Sequence, residues 1–569
     1  VSFGTKIISV GPNSVGQTNI SLNTGKKGHF RILLWIEGNN VKEEVGYSII
    51  PRPNVINKEN SFFGIDSHFA DYTILIMKRL GLSWIRTLSP GQTFRWGIIE
   101  PTKDVFNWTN TDSKMTSISS DMWVMGVLGD ESNPAWARGL ALTDESVWIN
   151  EYVDYVKAVV TRYKDKVHYW EIHNEPNASP ELGGKPDRYA KLLIATSEAI
   201  RSIDPSAKII ALGGSDHSYI MSVINYLSVN YPDWKIKDHV DAISTHLYPL
   251  NESEAYKTNR DIVIGLGIPM WNTETGSWST GFYTTSNSSW FNYGTSLYPN
   301  RDASRFYNEI NDDVRAVMVN FLTSIGDGFS KYFYYDGRIY HNSTTRTAPT
   351  ILDYDESIKP KGVAYAIAES FVDNMKPEGR ININDIETVG YLFSKNGSSP
   401  LATIWSKEAT NKILQVNLEA GQSFEIYDIM GNLMSASQTI AYNRMPLYIR
   451  GNGITVNQMR NILEKGIVNL VRDSNAPNLF IADGAIGKIQ SGSTIFRWFA
   501  WDDNSFANDQ KPFALQYSYR LLPDATWSNW SANTLVDYSN LPDGTYTFEV
   551  RTKDEAGNVS ATANRIFTV

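Results

Sequence analysis

The sequence has no cysteine among its 569 residues. This absence excludes disulfide bonds, zinc–thiolate sites and a catalytic thiol together. Long apolar runs are also missing, since no stretch approaches the ~20 residues that a membrane-spanning helix needs. The net charge of -9 is modest, which argues against broad electrostatic binding to nucleic acid and weakly against a strongly anionic polymer. The sequence therefore predicts neither a membrane span nor a nucleic-acid partner.

The start of the sequence bears on where the protein acts. The chain begins with Val1 rather than Met and shows no charged-then-apolar leader. Such a start is typical of a mature chain that has lost its signal peptide, and equally of a chosen cloning boundary. The lack of cysteine suits any compartment and does not decide the question. We expect a secreted, periplasmic or cell-surface protein.

Aromatic residues are plentiful, with 17 Trp, 30 Tyr and 23 Phe. The flat C–H faces of sugars stack on aromatic rings, so this composition is compatible with a carbohydrate-binding cleft. All-β modules also use Tyr and Trp in their cores, and that use accounts for many of these residues.

A chain of this length exceeds what one hydrophobic core supports, and changes in its pattern suggest four parts. Short strand-like runs occupy residues 1–54, which we expect to pack on an accessory β-sandwich at 379–473. Strand and helix patterns alternate over 55–378. A linker-like stretch, Asp473-Ser474-Asn475-Ala476-Pro477, precedes a last part at 474–569. That part, with Trp527, Trp530 and a clean alternation at 545–550, resembles the immunoglobulin-like modules of bacterial extracellular and sensor proteins.

The middle part predicts an α/β fold with eight strand–helix units, which over roughly 320 residues fit a closed (β/α)8 TIM barrel better than an open sheet. Short apolar runs predict the strands, and apolar residues at three- and four-residue spacing predict the helices. The predicted strands are 62–67, 84–88, 123–128, 167–173, 208–212, 242–246, 270–274 and 331–335; predicted helices include 144–164, 187–203, 305–325 and 361–375.

Two strand ends carry glutamates. The fourth strand ends Trp170-Glu171-Ile172-His173-Asn174-Glu175-Pro176, and the seventh ends Trp271-Asn272-Thr273-Glu274-Thr275-Gly276. Function gathers at the C-terminal ends of barrel strands, so both carboxylates face one mouth. Cleavage of a glycosidic bond with retention needs one carboxyl group as acid and one as nucleophile.

These two motifs, with the trailing β-sandwich, resemble the clan A glycoside hydrolases, and family 39 and its relatives most. The resemblance implies a retaining enzyme that cleaves β-glycosidic bonds in a polysaccharide or oligosaccharide, without metal or other cofactor. It implies Glu175 as acid/base and Glu274 as nucleophile. It further implies that Asn174 binds the sugar 2-hydroxyl, and that Arg86 and Tyr248 keep the nucleophile ionised while His246 contacts sugar hydroxyls.

Further residues are candidates for substrate binding. Many clan members end the eighth strand with a Trp, whereas this chain has Tyr335, which we expect to replace it as platform. His68 either lines the sugar site or caps the barrel. Trp136 and Trp278 stand where loops follow strands three and seven, and both suit stacking on sugars. Trp96 and Trp108, which we also place in strand-end loops, are further candidates for stacking. For Trp527 and Trp530, packing in the core of the last module is the favoured interpretation over sugar binding.

Two rival functions remain to be tested. A barrel that binds or scaffolds carbohydrate without catalysis has no need of two matched glutamates. A metal-dependent hydrolase or a phosphate-binding isomerase is typically marked by a His-x-His pair or a Gly-rich phosphate loop at strand ends, and the sequence shows neither.

Overall fold

The computed structural model of the chain describes the following residues: 12–19, 21, 24–35, 42–53, 58–66, 71–87, 93–118, 122–129, 133–247, 254–276, 279–280, 303–335, 347–348, 351–352, 357–408, 411–471, 474–501, 515–524, 526–554 and 556–569. Three of the predicted site residues, His68, Tyr248 and Trp278, lie outside these ranges.

Two antiparallel strands near the N-terminus, β1 (Gly28–Trp35) and β2 (Lys42–Ile49), form a sheet of their own. His29 Nδ1 lies 2.8 Å from the carbonyl oxygen of Ile358, and Lys27 Nζ donates to the Gly431 carbonyl at 2.7 Å. These contacts fasten the hairpin both to the chain that leads into the last barrel helix and to the β-region beyond the barrel.

Eight parallel strands form the centre of the molecule. They are β3 (Phe63–Asp66), β4 (Trp84–Arg86), β5 (Trp123–Leu128), β6 (Tyr169–Ile172), β7 (Lys208–Ala211), β8 (Ala242–Thr245), β9 (Met270–Thr275) and β11 (Lys331–Tyr335). They close into a barrel in the order β11-β3-β4-β5-β6-β7-β8-β9. Strands β10 (Ser279–Thr280) and β12 (Thr347–Ala348) pair beside it. The predicted (β/α)8 barrel is confirmed.

The helices surround the barrel and bury one face each. In the helix predicted at 144–164 the Asp144 side chain accepts from Val147 N at 3.1 Å and begins the helix, while Trp148, Tyr152 and Val156 are buried against the strands. Among the described residues no helix is long and apolar enough to cross a bilayer. The helices are α1 (Asp71–Arg79), α2 (Trp96–Ile99), α3 (Thr109–Ser117), α4 (Leu140–Thr143), α5 (Glu145–Tyr163), α6 (Pro186–Ile203), α7 (His217–Asn230), α8 (Ile236–His239), α9 (Glu254–Leu266), α10 (Ala303–Gly326) and α11 (Pro360–Val372).

Aromatic rings fill the N-terminal end of the barrel. The Trp84 ring centre lies 5.6 Å from those of Trp123 and Trp271 and 4.7 Å from that of Tyr169. Lys331 Nζ lies 4.8 Å from the Trp84 ring and donates to the Glu59 carbonyl at 2.7 Å. Burial lowers the pKa of Lys331 to about 8, against the opposing attraction of nearby acidic groups. We call the four aromatic residues Trp84, Trp123, Tyr169 and Trp271 the aromatic floor.

A β-sandwich follows the barrel. One sheet has the order β13-β14-β15-β20-β17-β18 and the other β19-β16-β21. A short helix, α12, which the sequence analysis did not predict, packs beside them. The predicted boundary at 378–379 falls within β13, and the boundaries of the four parts stay predictions. The elements are β13 (Lys376–Arg380), β14 (Thr388–Ser394), β15 (Leu401–Ser406), β16 (Lys412–Gln415), β17 (Ser423–Tyr427), β18 (Leu433–Ala436), β19 (Thr439–Tyr442), β20 (Leu447–Asn452), α12 (Val456–Glu464) and β21 (Ile467–Leu470).

The last part of the chain is an immunoglobulin-like module with its own core around Phe496, Trp498 and Phe548. Its two sheets have the orders β22-β24-β26 and β23-β28-β27-β25, and β24 also contacts α10 of the barrel. The strands are β22 (Asn478–Asp483), β23 (Gly487–Lys488), β24 (Thr494–Trp501), β25 (Gln516–Leu522), β26 (Leu535–Tyr538), β27 (Thr545–Lys553) and β28 (Ala563–Thr568).

Candidate active site

Arg86, the last residue of β4, is the centre of a buried charge network at the C-terminal end of the barrel. Its Nη1 donates to Asp66 Oδ2 at 2.6 Å and to Glu274 Oε2 at 2.9 Å. Its Nε donates to Glu171 Oε2 at 2.8 Å, and its Nη2 to Asn174 Oδ1 at 2.7 Å. One guanidinium thus links β3, β4, β6 and β9.

This environment keeps Arg86 charged. Burial by itself lowers the pKa of Arg86, but the attraction of Glu171, Asp66 and Glu274 outweighs it and raises that pKa above its usual value. The attraction is mutual, so the guanidinium favours the ionised form of Glu274. Three carboxylates around one cation leave the cluster with an excess of negative charge.

Glu171 holds the guanidinium from the side of β6. Its Oε1 accepts from Thr273 Oγ1 at 3.0 Å, and Thr273 Oγ1 is itself hydrogen-bonded to Ser244 Oγ. Both oxygens of this fully buried carboxylate therefore have donors. The sequence pattern alone indicates no role for Asp66, Glu171 or Thr273. A signal was present, because a charged residue at an inward position of a barrel strand needs a partner.

His246 lies between the two predicted catalytic glutamates. Its Nδ1 is 2.9 Å from Glu175 Oε1 and 3.9 Å from Glu274 Oε2. Its Nε2 faces Arg86 Nη2 at 3.5 Å. Because a guanidinium only donates, Nε2 is the acceptor, and the ring proton belongs on Nδ1, where it is donated to Glu175.

Glu175 and Glu274 differ in surroundings although they lie close together. Together with His246 they form a group in which one ligand atom of each residue lies within 4.8 Å of the others. The Glu175 side chain is 43% exposed, whereas that of Glu274 is 12% exposed. The more exposed carboxyl group can exchange protons with water, and the more buried one is held by a permanent cation.

An unusual backbone presents Glu175. His173 and Glu175 adopt positive φ angles of 66° and 42°, which side-chain-bearing residues rarely adopt. Glu175 N donates to the Gly213 carbonyl at 2.6 Å. A Cβ at Gly213 would lie 2.2 Å from the His173 carbonyl oxygen, and one at Gly214 would lie 2.3 Å from His246 Nδ1. Glycine at both positions therefore lets the segment after β7 lie close to the ends of β6 and β8.

Two further predicted residues, Tyr335 and Trp136, differ in where they lie relative to the two glutamates. Tyr335 ends β11 and is paired in register with Asp66, so it stands at the edge of the same mouth, half-buried. Trp136 donates to the Glu100 carbonyl at 3.1 Å and packs edge-on against Trp96 at 5.6 Å. None of these Trp136 contacts involves Glu175 or Glu274, and its role in sugar binding stays a prediction.

The expectation that Trp96 stacks on a sugar is wrong, because this ring is 1% exposed. It lies within α2 and packs against Tyr155 of α5 at 5.7 Å. Trp108 is half-buried under Arg162, whose Cζ lies 5.0 Å from the ring.

The group of Glu175, His246 and Glu274 also has the composition of a metal site. A zinc ion with ligands at about 2.0–2.2 Å requires ligand atoms roughly 3.4 Å apart, so Glu274 would have to approach His246. Arg86 already donates to the Glu274 oxygen that faces His246. A metal would place a second cation on that oxygen, which makes the geometry a better fit to a metal-free carboxylate pair.

Family models match two parts of the chain. The family model for cellulases of glycosyl hydrolase family 5 matches residues 109–307, which include β6, β9 and both glutamates. In this match the barrel is similar to those of the clan A glycoside hydrolases. A second model, the Y_Y_Y domain, matches residues 508–569 of the immunoglobulin-like module.

Individual relatives are distant. An endo-1,4-beta-xylanase B from Thermotoga neapolitana is 28% identical over 91 residues, which are 16% of this chain and 26% of the relative. The chain thus matches about a quarter of the length of that relative.

Among solved structures, a family 39 glycoside hydrolase from Bacteroides cellulosilyticus has a TM-score of 0.56 and 17% identity, covering 75% of this chain and 88% of that one. A family 39 β-xylosidase from Caulobacter crescentus has a TM-score of 0.45 and 12% identity, covering 71% and 98%. The first of these supports the barrel fold.

Proposed function

We propose that this glycoside hydrolase is a retaining enzyme in which Glu274 is the nucleophile and Glu175 the acid/base. The observation that supports this most is that one carboxylate oxygen of Glu175 lies within 4.8 Å of one carboxylate oxygen of Glu274. Retaining enzymes hold their two carboxyl groups about 5–5.5 Å apart, whereas inverting enzymes separate them by roughly 6.5–9.5 Å to admit a water. The short separation favours direct attack by a carboxylate.

The unequal surroundings support the assignment of roles. Glu274 accepts from Arg86 and remains an anion, as a nucleophile must. Glu175 accepts from His246 Nδ1 and is open to solvent, so it can carry a proton in one step and lose it in the next.

The proposed reaction has two displacements. Glu274 attacks the anomeric carbon, the glycosidic bond breaks, and Glu175 gives its proton to the leaving oxygen. Glu175 then removes a proton from water, which attacks the glycosyl ester and releases Glu274. Asn174 has its amide oxygen engaged by Arg86, so its Nδ2 is oriented to donate to the sugar 2-hydroxyl.

For the substrate, we propose a β-linked polysaccharide or its oligosaccharides, cleaved outside the cytoplasm, where such polymers occur. The relatives named as cellulase and endo-1,4-beta-xylanase support a β-linked backbone. Fractionation of producing cells tests the location, and a product profile from xylan, cellulose and algal polysaccharides tests the substrate.

Paired variants at the two glutamates test the chemistry. We expect Glu274→Gln to abolish turnover, since an amide does not attack, even with aryl β-glycosides. In contrast, Glu175→Ala should retain the first step on substrates with a phenolate leaving group, and azide should restart turnover by forming a β-glycosyl azide.

In the same assays, we expect the wild type to keep its full activity in EDTA. Loss of activity in EDTA would favour a metal-dependent enzyme, and absence of any turnover on a broad panel would favour a non-catalytic carbohydrate-binding protein.

A further inference from the structure

Cations and tryptophan rings alternate along the outer face of the immunoglobulin-like module. Arg520 Cζ lies 4.5 Å and Arg551 Cζ 4.2 Å from the ring centre of Trp527. Arg551 Cζ also lies 5.1 Å from the Trp530 ring, and Lys553 Nζ 4.7 Å from it. We call these five residues the Arg–Trp ladder.

Strand register explains how the ladder forms. On β27, Val550 and Thr552 are buried, so Arg551 and Lys553 point to the opposite face of the sheet. The two tryptophans arrive from the segment after β25, which folds back along that strand through Ser528 N donating to the Tyr519 carbonyl at 2.8 Å. Neither Trp527 nor Trp530 belongs to the module's core cluster. The structure thus overturns the expectation that they pack in the core.

Two cations of the ladder have no carboxylate partner among the described residues. Arg520 pairs with Glu549 at 2.6 Å. In contrast, neither Arg551 nor Lys553 forms an ion pair with any described residue, and Arg551 Nε is buried without a hydrogen-bond partner. Residues 474–569 contain ten acidic and seven basic residues, so the module is acidic overall. Three of its seven basic residues nevertheless gather on this one face.

We propose that the Arg–Trp ladder binds the carboxylate or sulfate groups of an anionic polysaccharide. Stacking on tryptophan fixes the plane of a guanidinium and leaves its N–H edge for bidentate contact with such groups. Arg551 and Lys553 are two residues apart on one strand, which separates them by roughly 6.8 Å along an extended path. A regular row of fixed cations suits charges repeated along an extended polymer.

The ring geometry favours a glycan over a single-stranded nucleic acid. Bases bind by stacking on open aromatic faces, whereas cations already lie over both tryptophan rings here. A neutral glycan, which binds by stacking as well, is disfavoured for the same reason.

Binding by the full-length chain tests the proposal, with four probes: polygalacturonate, dextran sulfate, uncharged dextran and single-stranded DNA. The test variant is Arg551→Gln/Lys553→Gln. The control, Lys488→Gln/Lys465→Gln, removes the same charge from two exposed lysines outside the ladder. We expect the ladder variant to bind polygalacturonate, dextran sulfate or both at least tenfold more weakly, and the control to stay within twofold of the wild type. Which of the two probes is affected distinguishes carboxylate from sulfate recognition.

Hydrolysis of a small aryl glycoside, measured in parallel, should not change in either variant, so a failed ladder proposal and a failed catalytic proposal are told apart. The proposal is overturned if the wild type binds neither anionic glycan, if the control weakens as much as the ladder variant, or if DNA binds as tightly as the glycans. Should the double variant not fold, Lys553→Gln at the end of the ladder is used; binding that stays unchanged in it also overturns the proposal.

Discussion

The two ends of the barrel carry opposite chemistry on the same strands. On β4, Trp84 and Arg86 are two residues apart, as are Tyr169 and Glu171 on β6. Residues at this spacing point the same way, so each strand contributes a ring to the aromatic floor and a charge to the mouth. The centres of contacting floor rings lie 4.7–5.9 Å apart, whereas the mouth charges are linked through one guanidinium.

This difference implies that the aromatic floor contributes mainly to stability and the charged mouth mainly to catalysis. Buried aromatic rings stabilise through the area that they remove from water. Buried ion pairs recover little more than their desolvation cost, and breaking one leaves an uncompensated charge. We therefore expect changes in the floor to lower the free energy of unfolding, and changes in the mouth to lower the rate.

The largest expected effect follows from Arg86→Lys. One ammonium keeps the charge but cannot contact Asp66, Glu171, Glu274 and Asn174 together, as the guanidinium does. We expect kcat to fall by at least about 10³-fold, with KM changed far less. Steady-state kinetics on an aryl glycoside check this. A kcat within tenfold of the wild type would show that the arrangement of N–H donors on the guanidinium does not matter.

Trp84→Ala addresses the other end of the barrel. Loss of this fully buried ring should lower the free energy of unfolding by about 3–5 kcal/mol. The kcat at a temperature where the variant is folded should stay within about threefold. Denaturant titration and kinetics on the same sample check both. A large fall in kcat with full folding would mean that the two ends are not independent.

Glu171→Ala tests a positioning residue within the mouth. We expect roughly a 100-fold fall in kcat, because Arg86 loses the acceptor that fixes its Nε. Glu171→Gln should restore most of the activity, since its amide oxygen can accept from Arg86 while Thr273 turns its hydroxyl towards Ser244. Equal losses in the two variants would instead indicate that the charge of Glu171, and not its geometry, matters.

The smallest expected effect concerns pH. Lys331 has its pKa lowered to about 8 in the folded state, so above pH 8 the unfolded chain binds more protons there than the folded one. Stability from this group therefore rises with pH, by roughly 2 kcal/mol between pH 7 and pH 9.5. The difference in unfolding free energy between wild type and Lys331→Met should change by this amount. If the difference in unfolding free energy between the two proteins does not depend on pH, the pKa of Lys331 is not lowered in the folded state.

Much of the barrel could be predicted from sequence because its strands are short apolar runs between amphipathic helices. The predicted strands 123–128 and 331–335 coincide with β5 and β11. The two glutamates could be located because their motifs lie at strand ends, where a barrel gathers its functional residues.

Other features escaped because they depend on contacts between distant segments. The convergence of Asp66 and Glu171 on Arg86 needs the register of four strands, β3 to β6, which composition does not reveal. The sequence pattern places Trp96 in a loop, and its burial depends on packing against Tyr155 of the distant helix α5. Helix α12 did leave a local signal, since Thr455 and Gln458 form a capping box before the buried Met459 and Leu463.

The anomer released first tests the proposed mechanism most directly. With the wild-type enzyme and a β-linked substrate, proton NMR recorded before mutarotation should show the β anomer, because two displacements through an ester on Glu274 restore the starting configuration. An initial α anomer would mean a single displacement by water. The roles proposed for Glu175 and Glu274 would then be wrong, despite the short distance between their carboxylates.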